Sequence, residues 1–262
     1  MNLGLNDKHA VVLGASQGLG LATAQALLAE GARVTLSGRS PERLEAARAA
    51  LPADQQARCF IAVADLADAN AAATISARAQ ELGGPVDILV NNTGGPPPGM
   101  PTAITTDALA THFASMVTPV VALTLDLVAG MRSRGWGRVL TIASSGVVQP
   151  IPHLPMSNAL RSTLVGFMKS LAGEVAADGV TVNMVLPGRI ATGRTASIDA
   201  GQAQKSGKSA EEVAKASTAT IPAGRYGTPE EFAAVVTFLA SCQASYVTGS
   251  MMRVDGGAFR AI

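Results

Sequence analysis

Apolar residues recur along the chain with two different periods. Short runs rich in β-branched residues predict strands, and longer Ala- and Leu-rich stretches, apolar at every third or fourth position, predict helices. The predicted strands are residues 10–13, 33–37, 59–63, 87–91, 138–143, 181–186 and 251–254. The predicted helices are residues 18–30, 41–50, 67–82, 107–134, 158–177 and 229–241.

Strands that alternate with helices in this way are typical of repeated βαβ units around a parallel sheet. We therefore expect an α/β fold of the Rossmann type, with a doubly wound seven-stranded parallel sheet in a three-layer α/β/α arrangement. A length of 262 residues, without an internal repeat or a linker-like segment, predicts one domain over residues 1–262.

Two segments interrupt the alternation. Residues 93–101, TGGPPPGMP, predict a loop after the fourth strand, because proline removes a backbone donor and glycine is costly to order. Residues 189–223 are small and polar around one short periodic piece at 209–218. A segment of this kind after the sixth strand predicts a mobile lid.

The balance of charged residues restricts the kinds of binding partner that we expect. The chain has 20 Lys and Arg against 19 Asp and Glu, and a net charge of +1 provides no long-range field for nucleic acid or an anionic membrane. We expect a small-molecule substrate, no nucleic acid and no membrane. The N-terminal residues lack the pattern of a signal peptide and no apolar run is expected to reach about 18 residues, so we expect a cytoplasmic protein. Cys59 and Cys242 lack the spacing of a zinc site or disulfide framework.

A glycine-rich turn follows the first strand. The sequence LGASQGLG places Gly14, Gly18 and Gly20 between a strand and a helix, with Ser16 and Leu19 between them. The first glycine permits a tight turn, the second lets the backbone approach a pyrophosphate, and the third lets the helix pack on the strand. The turn therefore predicts a dinucleotide site, the alternative being a structural turn without a ligand.

The choice of dinucleotide depends on the end of the second strand. NAD-binding domains place an acidic residue there, whereas this chain has Arg39 and Ser40, which are suited to a 2′-phosphate. We therefore expect NADP(H) in preference to NAD(H), with Arg39 as a solvated flanking charge as the alternative. After the third strand, Asp65 and Leu66 are placed to contact the adenine.

Several further motifs suggest a family. They are NNTG at 91–94, TIASS at 141–145, VNMVLPG at 182–188, PAGRYGTPEE at 222–231, YVTG at 246–249 and VDGG at 254–257. Over nearly its whole length the chain resembles the short-chain dehydrogenase/reductase family, and it is similar to bacterial 3-oxoacyl-acyl-carrier-protein reductases. The resemblance implies cofactor contacts from a set of residues near the strand ends: Asn91, Gly94, Pro187, Gly188, Ile190 and Thr192.

The resemblance also shows where the sequence departs from the family. The family uses a serine, a tyrosine thirteen residues later, a lysine four residues further on, and an asparagine on an earlier helix. Counting from Ser144 places Ser157 at the tyrosine and Arg161 at the lysine position, so SNALR replaces YxxxK, and Met116 stands at the asparagine position. Ser144, or Ser145 if the pairing slips by one, is implied to orient a carbonyl, and Arg161 is implied to bind the nicotinamide ribose.

The usual tyrosine acid is therefore missing. A serine hydroxyl is far less acidic than a phenol, so Ser157 is expected to pass a proton only within a relay. An imidazole can donate a proton at neutral pH, so His153 is a second candidate donor, with a pocket wall or an exposed loop position as its alternative.

Three functional hypotheses follow. The first is an NADP(H)-dependent oxidoreductase that interconverts a carbonyl and a secondary alcohol with an atypical active site. The second is a catalytically inactive dinucleotide-binding pseudoenzyme or regulatory subunit, and the third is a non-redox lyase or isomerase on the same fold. The resemblance also implies a homotetramer or homodimer.

Overall fold

The computed structural model describes residues 2–260. Seven strands form one sheet, and every neighbouring pair is parallel. The strands are β1 (His9–Val12), β2 (Arg33–Gly38), β3 (Cys59–Val63), β4 (Ile88–Asn91), β5 (Gly137–Ile142), β6 (Val180–Pro187) and β7 (Met251–Val254). Their order across the sheet is β3-β2-β1-β4-β5-β6-β7. The predicted Rossmann-type sheet is therefore confirmed, with strand bounds close to those expected.

Helices connect the strands and cover both faces of the sheet. They are α1 (Gly18–Ala29), α2 (Pro41–Ala49), α3 (Ala53–Gln56), α4 (Ala71–Gly83), α5 (Thr106–Met116), α6 (Thr118–Ser133), α7 (Pro155–Val175), α8 (Gly193–Ser206), α9 (Ala210–Thr218) and α10 (Pro229–Ala240). On one face α1 packs against α10, and on the other α4 packs against α6.

The core is divided by the sheet into two apolar layers. Along β1, Val11 contributes to the layer beneath α4, α6 and α7, whereas Ala10 and Val12 contribute to the layer beneath α1 and α10. All three residues are fully buried. Strands covered on both faces are apolar at successive positions, which is why they form continuous rather than alternating apolar runs in the sequence.

Three helices begin or break differently from the prediction. The long helix expected at 107–134 is divided at Val117, where Pro119 has no N–H to donate to the preceding turn. The helix expected from residue 67 begins at Ala71, because Asp65 and Asp68 each accept a backbone N–H two residues later and form turns. Helix α7 begins at Pro155 rather than at 158, since proline fits the first turn.

The segment expected to be a lid contains more helix than predicted. Residues 193–206 form α8 in addition to the predicted periodic piece, which is α9. The sequence of α8, GRTASIDAGQAQKS, has few apolar residues and buries only Asp199 and Ala203, so it carries little helical periodicity.

One stretch is more apolar than the sequence analysis expected. Thr106–Ser133, with a mean hydropathy of 1.7 in its best window, is long and apolar enough to cross a membrane by length and composition. The expectation that no run is long enough was therefore wrong. In this structure the stretch contributes Val120, Leu123 and Leu127 to the core, and buried core helices pass the same test.

His9 provides a pH-dependent contribution to stability. Its ring is fully buried, with Nδ1 2.9 Å from the Gly84 carbonyl and Nε2 2.9 Å from Thr35 Oγ1. Burial, with a smaller effect of nearby Arg33, lowers the pKa of His9 below its ordinary value of 6.5. The unfolded chain therefore binds this proton more readily than the folded chain does, and stability is lost as the pH falls below about 6.5.

We expect His9→Gln to flatten this part of the profile. Chemical denaturation between pH 5 and 7.5 would give a slope for the wild type that is reduced in the variant, by up to about 1.4 kcal/mol per pH unit for one proton. His112→Gln, at a partly exposed position of α5, controls for the loss of a histidine. An unchanged slope in the His9 variant would contradict this account.

Candidate active site

The candidate site lies along the carboxyl ends of the central strands. In the sheet β1 is flanked by β2 and β4, so the chain turns in opposite directions on its two sides. Ligands of doubly wound sheets bind in the crevice at this reversal. Because all seven strands are parallel, the loops that follow β1, β4, β5 and β6 meet at the same edge.

The glycine turn after β1 is packed too tightly for side chains. A Cβ at Gly14 would lie 2.9 Å from the Asn92 carbonyl oxygen, and one at Gly20 would collide with the Gly14 carbonyl. Gly14 and Gly18 also have φ values of 57° and 59°, in the left-handed region. At the start of α1, Gln17 makes no side-chain capping bond, so the first N–H groups of the helix remain available to an anion.

The adenine side of the turn contains the expected residues. Arg39 is exposed and forms no ion pair within residues 2–260. Ser40 instead caps α2: its hydroxyl accepts the Arg43 N–H at 3.2 Å and donates to Glu42 Oε2 at 2.7 Å. This hydrogen bond lowers the pKa of Glu42. The carboxylate of Asp65 is exposed next to Leu66, where β3 ends beside β2.

The end of β4 is fixed by buried side chains. Asn91 is 1% exposed, and its Nδ2 donates to Thr124 Oγ1 at 3.1 Å and to Thr141 Oγ1 at 3.5 Å. The Asn91 side chain thus joins β4 to α6 and β5 and does not point into the crevice. Gly94, three residues later, has open space where a side chain would begin: no atom of residues 2–260 lies within 4 Å of the position of a Cβ.

The loop after β6 brings the lid to the glycine turn. Gly188 packs so closely on Asp255 that a Cβ would lie 2.6 Å from the Asp255 Cα, and Ile190 forms a bridge with Gly227. Thr192 accepts the Thr195 N–H and caps α8. Its methyl carbon lies 3.8 Å from the Cβ position of Gly18. The sequence-predicted residues Gly18 and Thr192, distant along the chain, are therefore adjacent.

Ser144 follows β5 and has a hydroxyl hydrogen available to donate. It is half-buried, and its Oγ accepts the Gly146 N–H at 3.1 Å. The hydroxyl hydrogen is thus free to be donated elsewhere. Ser157 lies on the first turn of α7 and is 7% exposed, and its hydroxyl makes no hydrogen bond to any residue in the described range.

Arg161 is directed at the protein backbone. Its Nη1 donates to the Ile142 carbonyl at 3.1 Å, and its Nη2 donates to the Thr93 and Gly94 carbonyls at 3.3 and 3.1 Å. Burial, together with the charge of Arg194, lowers the pKa of Arg161 to about 10. The guanidinium therefore ties the end of β5 to the loop after β4. The spacing from Ser144, which places Arg161 at the lysine position of the family, does not suggest this role.

The two remaining candidate residues, Met116 and His153, have side chains without hydrogen bonds in the described chain. Met116 is 5% exposed and belongs to the apolar layer with Met156 and Leu160, so this position holds no polar group. His153 is exposed and adopts a φ of 61°, and its carbonyl accepts the Gly99 N–H at 2.9 Å. Within residues 2–260 its ring makes no hydrogen bond.

A cavity of about 190 Å³ opens beside this edge. Its lining combines the loop after β5, the turn after β6 and the segment after β7: Ser145, Gln149, Pro150, Ile151, Pro152, Gly188, Asp255, Ala258 and Phe259. Sequence reasoning did not place the last segment at the site. It also missed Asn158, whose amide donates to and accepts from Ile151 at 3.1 and 3.3 Å and so fixes one wall. The sequence signal that could have indicated this contact is an amide side chain in the first turn of α7.

The lid is attached through one buried carboxylate. Asp199 of α8 is 5% exposed; its Oδ1 accepts from Arg189 Nη1 at 2.9 Å and its Oδ2 accepts from the Tyr226 hydroxyl at 2.8 Å. Arg189 is the first residue of the lid and Tyr226 follows its last residue, so Asp199 ties α8 to both ends of the segment.

We expect Asp199→Ala to loosen the lid without unfolding the protein. Loss of two charge-assisted hydrogen bonds should raise the rate of limited proteolysis within residues 193–218 about tenfold or more, at an almost unchanged Tm. Glu211→Ala, an exposed carboxylate of α9, is the matched control. Equal cleavage rates in both variants and the wild type would show that Asp199 does not anchor the lid.

Comparison with known proteins adds to this geometry. The family model described as enoyl-(acyl carrier protein) reductase matches residues 14–258. The chain is 33% identical over 259 residues to a 3-oxoacyl-acyl-carrier-protein reductase of Vibrio cholerae, covering 98% of this chain and 99% of the relative.

Two solved structures are similar in fold and sequence. One is the L-sorbose reductase of Gluconobacter frateurii complexed with NADPH and L-sorbose, at a TM-score of 0.94 and 31% identity over the whole of both chains. The other is an actinorhodin polyketide ketoreductase with NADPH, at a TM-score of 0.90 and 32% identity over 97% of this chain and 98% of that one.

Proposed function

The chain belongs to the short-chain dehydrogenase/reductase family, and on this premise we propose that it is an NADP(H)-dependent oxidoreductase that interconverts a carbonyl and a secondary alcohol. The main support is the crevice at the carboxyl edge, where a glycine turn without room for Cβ atoms faces the capping threonine of the lid. A small-molecule substrate suits a cavity of about 190 Å³ at the same edge.

The residues at the crevice fit a dinucleotide. The N–H groups at the start of α1 would hold the pyrophosphate, Asp65 and Leu66 would contact the adenine, and the backbone of residues 187–192 would hold the nicotinamide carboxamide. The 2′-phosphate would pair with Arg39. Ser40 contributes less than the sequence suggests, because its hydroxyl is bonded to the Glu42 carboxylate. The sorbose reductase and the polyketide ketoreductase, both solved with NADPH, support this preference.

The side chains supply orientation and a path for the proton. When bound, the nicotinamide supplies or accepts the hydride. Ser144 would donate its free hydroxyl hydrogen to the substrate oxygen, because its lone pair is already engaged by the Gly146 N–H. Ser157 would pass a solvent proton within a relay, since its hydroxyl is unengaged in the described chain and is too weak an acid to act alone. His153 is the alternative donor from the neighbouring loop.

We further propose that residues 1–262 form one domain that assembles as a homotetramer or homodimer. The edge strand β7 and nearby segments expose large apolar side chains, which favours contact with a second copy. They are Phe238, Tyr246, Met251 and Met252, which are 37%, 101%, 46% and 37% exposed. Light scattering in solution would measure the mass directly.

We expect Arg39→Ala to weaken the binding of NADPH and to leave the binding of NADH almost unaffected. A guanidinium–phosphate contact adds charge-assisted hydrogen bonds that NADH cannot form, so the Kd for NADPH should rise about tenfold or more. Fluorescence titration of both nucleotides measures this, with Arg48→Ala on the following helix α2 as the control. Tighter binding of NADH than NADPH by the wild type, with Arg39→Ala indifferent, would contradict the assignment.

We expect Ser144→Ala to impair the reaction and not the binding of NADPH. Loss of one donor to the substrate oxygen should lower kcat by about 10²- to 10³-fold, with an unchanged Kd for NADPH. The measurement is the nicotinamide absorbance against β-ketoacyl thioesters, enoyl thioesters, ketones, diketones and ketoses.

Two further variants identify the proton donor. If Ser157 passes the proton, Ser157→Ala should lower kcat and remove part of the dependence of kcat on buffer concentration. If the imidazole of His153 is the donor, His153→Gln should have this effect instead. NADPH that binds tightly and is not oxidised over the whole panel would instead indicate a dinucleotide-binding subunit without catalysis.

A further inference from the structure

Two guanidinium groups approach the loop after β4. Arg161 donates to the carbonyls of Thr93 and Gly94 from within the protein. Arg194 lies against the next residue, where a Cβ on Gly95 would be 2.6 Å from its Nη2 and 3.1 Å from its Nη1. Within residues 2–260 neither arginine forms an ion pair with a carboxylate.

The two arginines at the ends of the lid segment, by contrast, have counter-ions. Arg189, the first residue of the lid segment, is paired with Asp199, and Arg225, which follows the segment, is paired with Glu231 at 2.6 Å. Arg161 is 8% exposed and receives only backbone carbonyl dipoles, which carry no net charge. The two charges are close enough that Arg194 helps to lower the pKa of Arg161. A buried cation is normally paired, so this arrangement favours a negative group from outside the chain.

The position of Arg194 indicates where that group would lie. It is the second residue of α8, two after the capping Thr192, whose methyl lies 3.8 Å from the Cβ position of Gly18. The start of α8 therefore extends from the glycine turn after β1 to the loop after β4, across the crevice. The N-terminal end of a helix adds a partial positive charge to the guanidinium.

We propose that Arg194, assisted by the charge of Arg161, binds an oxyanion at the crevice and so couples the lid to ligand binding. A planar guanidinium is suited to grip two oxygens of a phosphate or carboxylate at once. This inference rests on the proposed function, which brings such groups to the crevice from two sources: the pyrophosphate of the dinucleotide, or an acidic group of the substrate.

Three variants separate the contributions. Arg194→Gln removes the charge from an exposed position, so the fold should be retained, and Arg194→Lys keeps the charge without the planar fork. Gly95→Ala keeps the guanidinium but displaces it, because a Cβ there would collide with its nitrogens. The control is Lys205→Gln, which removes a charge from the same helix about 16 Å from Arg194 along its axis.

The test combines fluorescence titration of NADPH, calorimetric titration of inorganic pyrophosphate, and kcat/KM for acetoacetate relative to its neutral methyl ester. If the oxyanion belongs to the cofactor, Arg194→Gln should weaken the binding of NADPH and of pyrophosphate about tenfold to a hundredfold. Arg194→Lys and Gly95→Ala should have intermediate affinities, and Lys205→Gln should bind both as the wild type does. If the source is the substrate, NADPH should bind normally and the preference for acetoacetate over the ester should fall by a similar factor.

The failure of the inference differs from that of the proposed function. A wild type that binds neither NADPH nor pyrophosphate and has no activity on either substrate would overturn both. A wild type that binds NADPH while Arg194→Gln matches Lys205→Gln in all three measurements would overturn the inference alone.

Discussion

The close approach of Gly20 to the Gly14 carbonyl sets the position of much of the candidate site. No Cβ fits between them. The side-chain amide of Asn92, directly after β4, also donates to the Gly14 carbonyl, at 3.3 Å. Helix α1 is thereby held against β1 and β4 with its uncapped N–H groups directed at the crevice. The same contact fixes the edge that Thr192 of the lid approaches, so the anion site and the lid are positioned by the same turn.

Positive charge at this edge is arranged differently from what the family resemblance implies. The position implied for a ribose-binding lysine holds Arg161, which donates to three backbone carbonyls and thereby connects two strand ends. Its charge remains without a carboxylate in the described chain, and the guanidinium of Arg194 approaches Gly95 of the same loop. Structural support and ligand attraction are thus combined in one residue, which residue type alone does not reveal.

The sequence predicted the sheet and the glycine turn well, because both depend on local patterns. Buried strands leave uninterrupted apolar runs, and Gly14, Gly18 and Gly20 follow the first of these runs at a spacing that is typical of a dinucleotide turn. The division of the long helix at Val117 and the helix α8 were missed. Pro119 lay inside an otherwise continuous apolar period, and α8 has almost no apolar face.

Contacts between distant segments were the least predictable. The bonds of Arg161 to Thr93 and Gly94, the attachment of Asp199 to Tyr226 and the wall formed by Phe259 all depend on how the strands are ordered. No spacing in the sequence encodes them. The departure from YxxxK that the family resemblance implies can, by contrast, be read from the sequence. The structure describes the residues concerned: the Ser157 hydroxyl is unengaged within residues 2–260, and Met116 lies in an apolar layer.

The central proposal is that this site transfers hydride although the family resemblance implies that SNALR replaces YxxxK. Two samples of NADPH, one deuterated on each face of C4 of the nicotinamide, are incubated in turn with the protein and carbonyl substrates, and mass spectrometry of the products tests it most directly. The account predicts one deuterium in the alcohol product, from one face of the nicotinamide only. Bound nucleotide that keeps its deuterium with every substrate would contradict it.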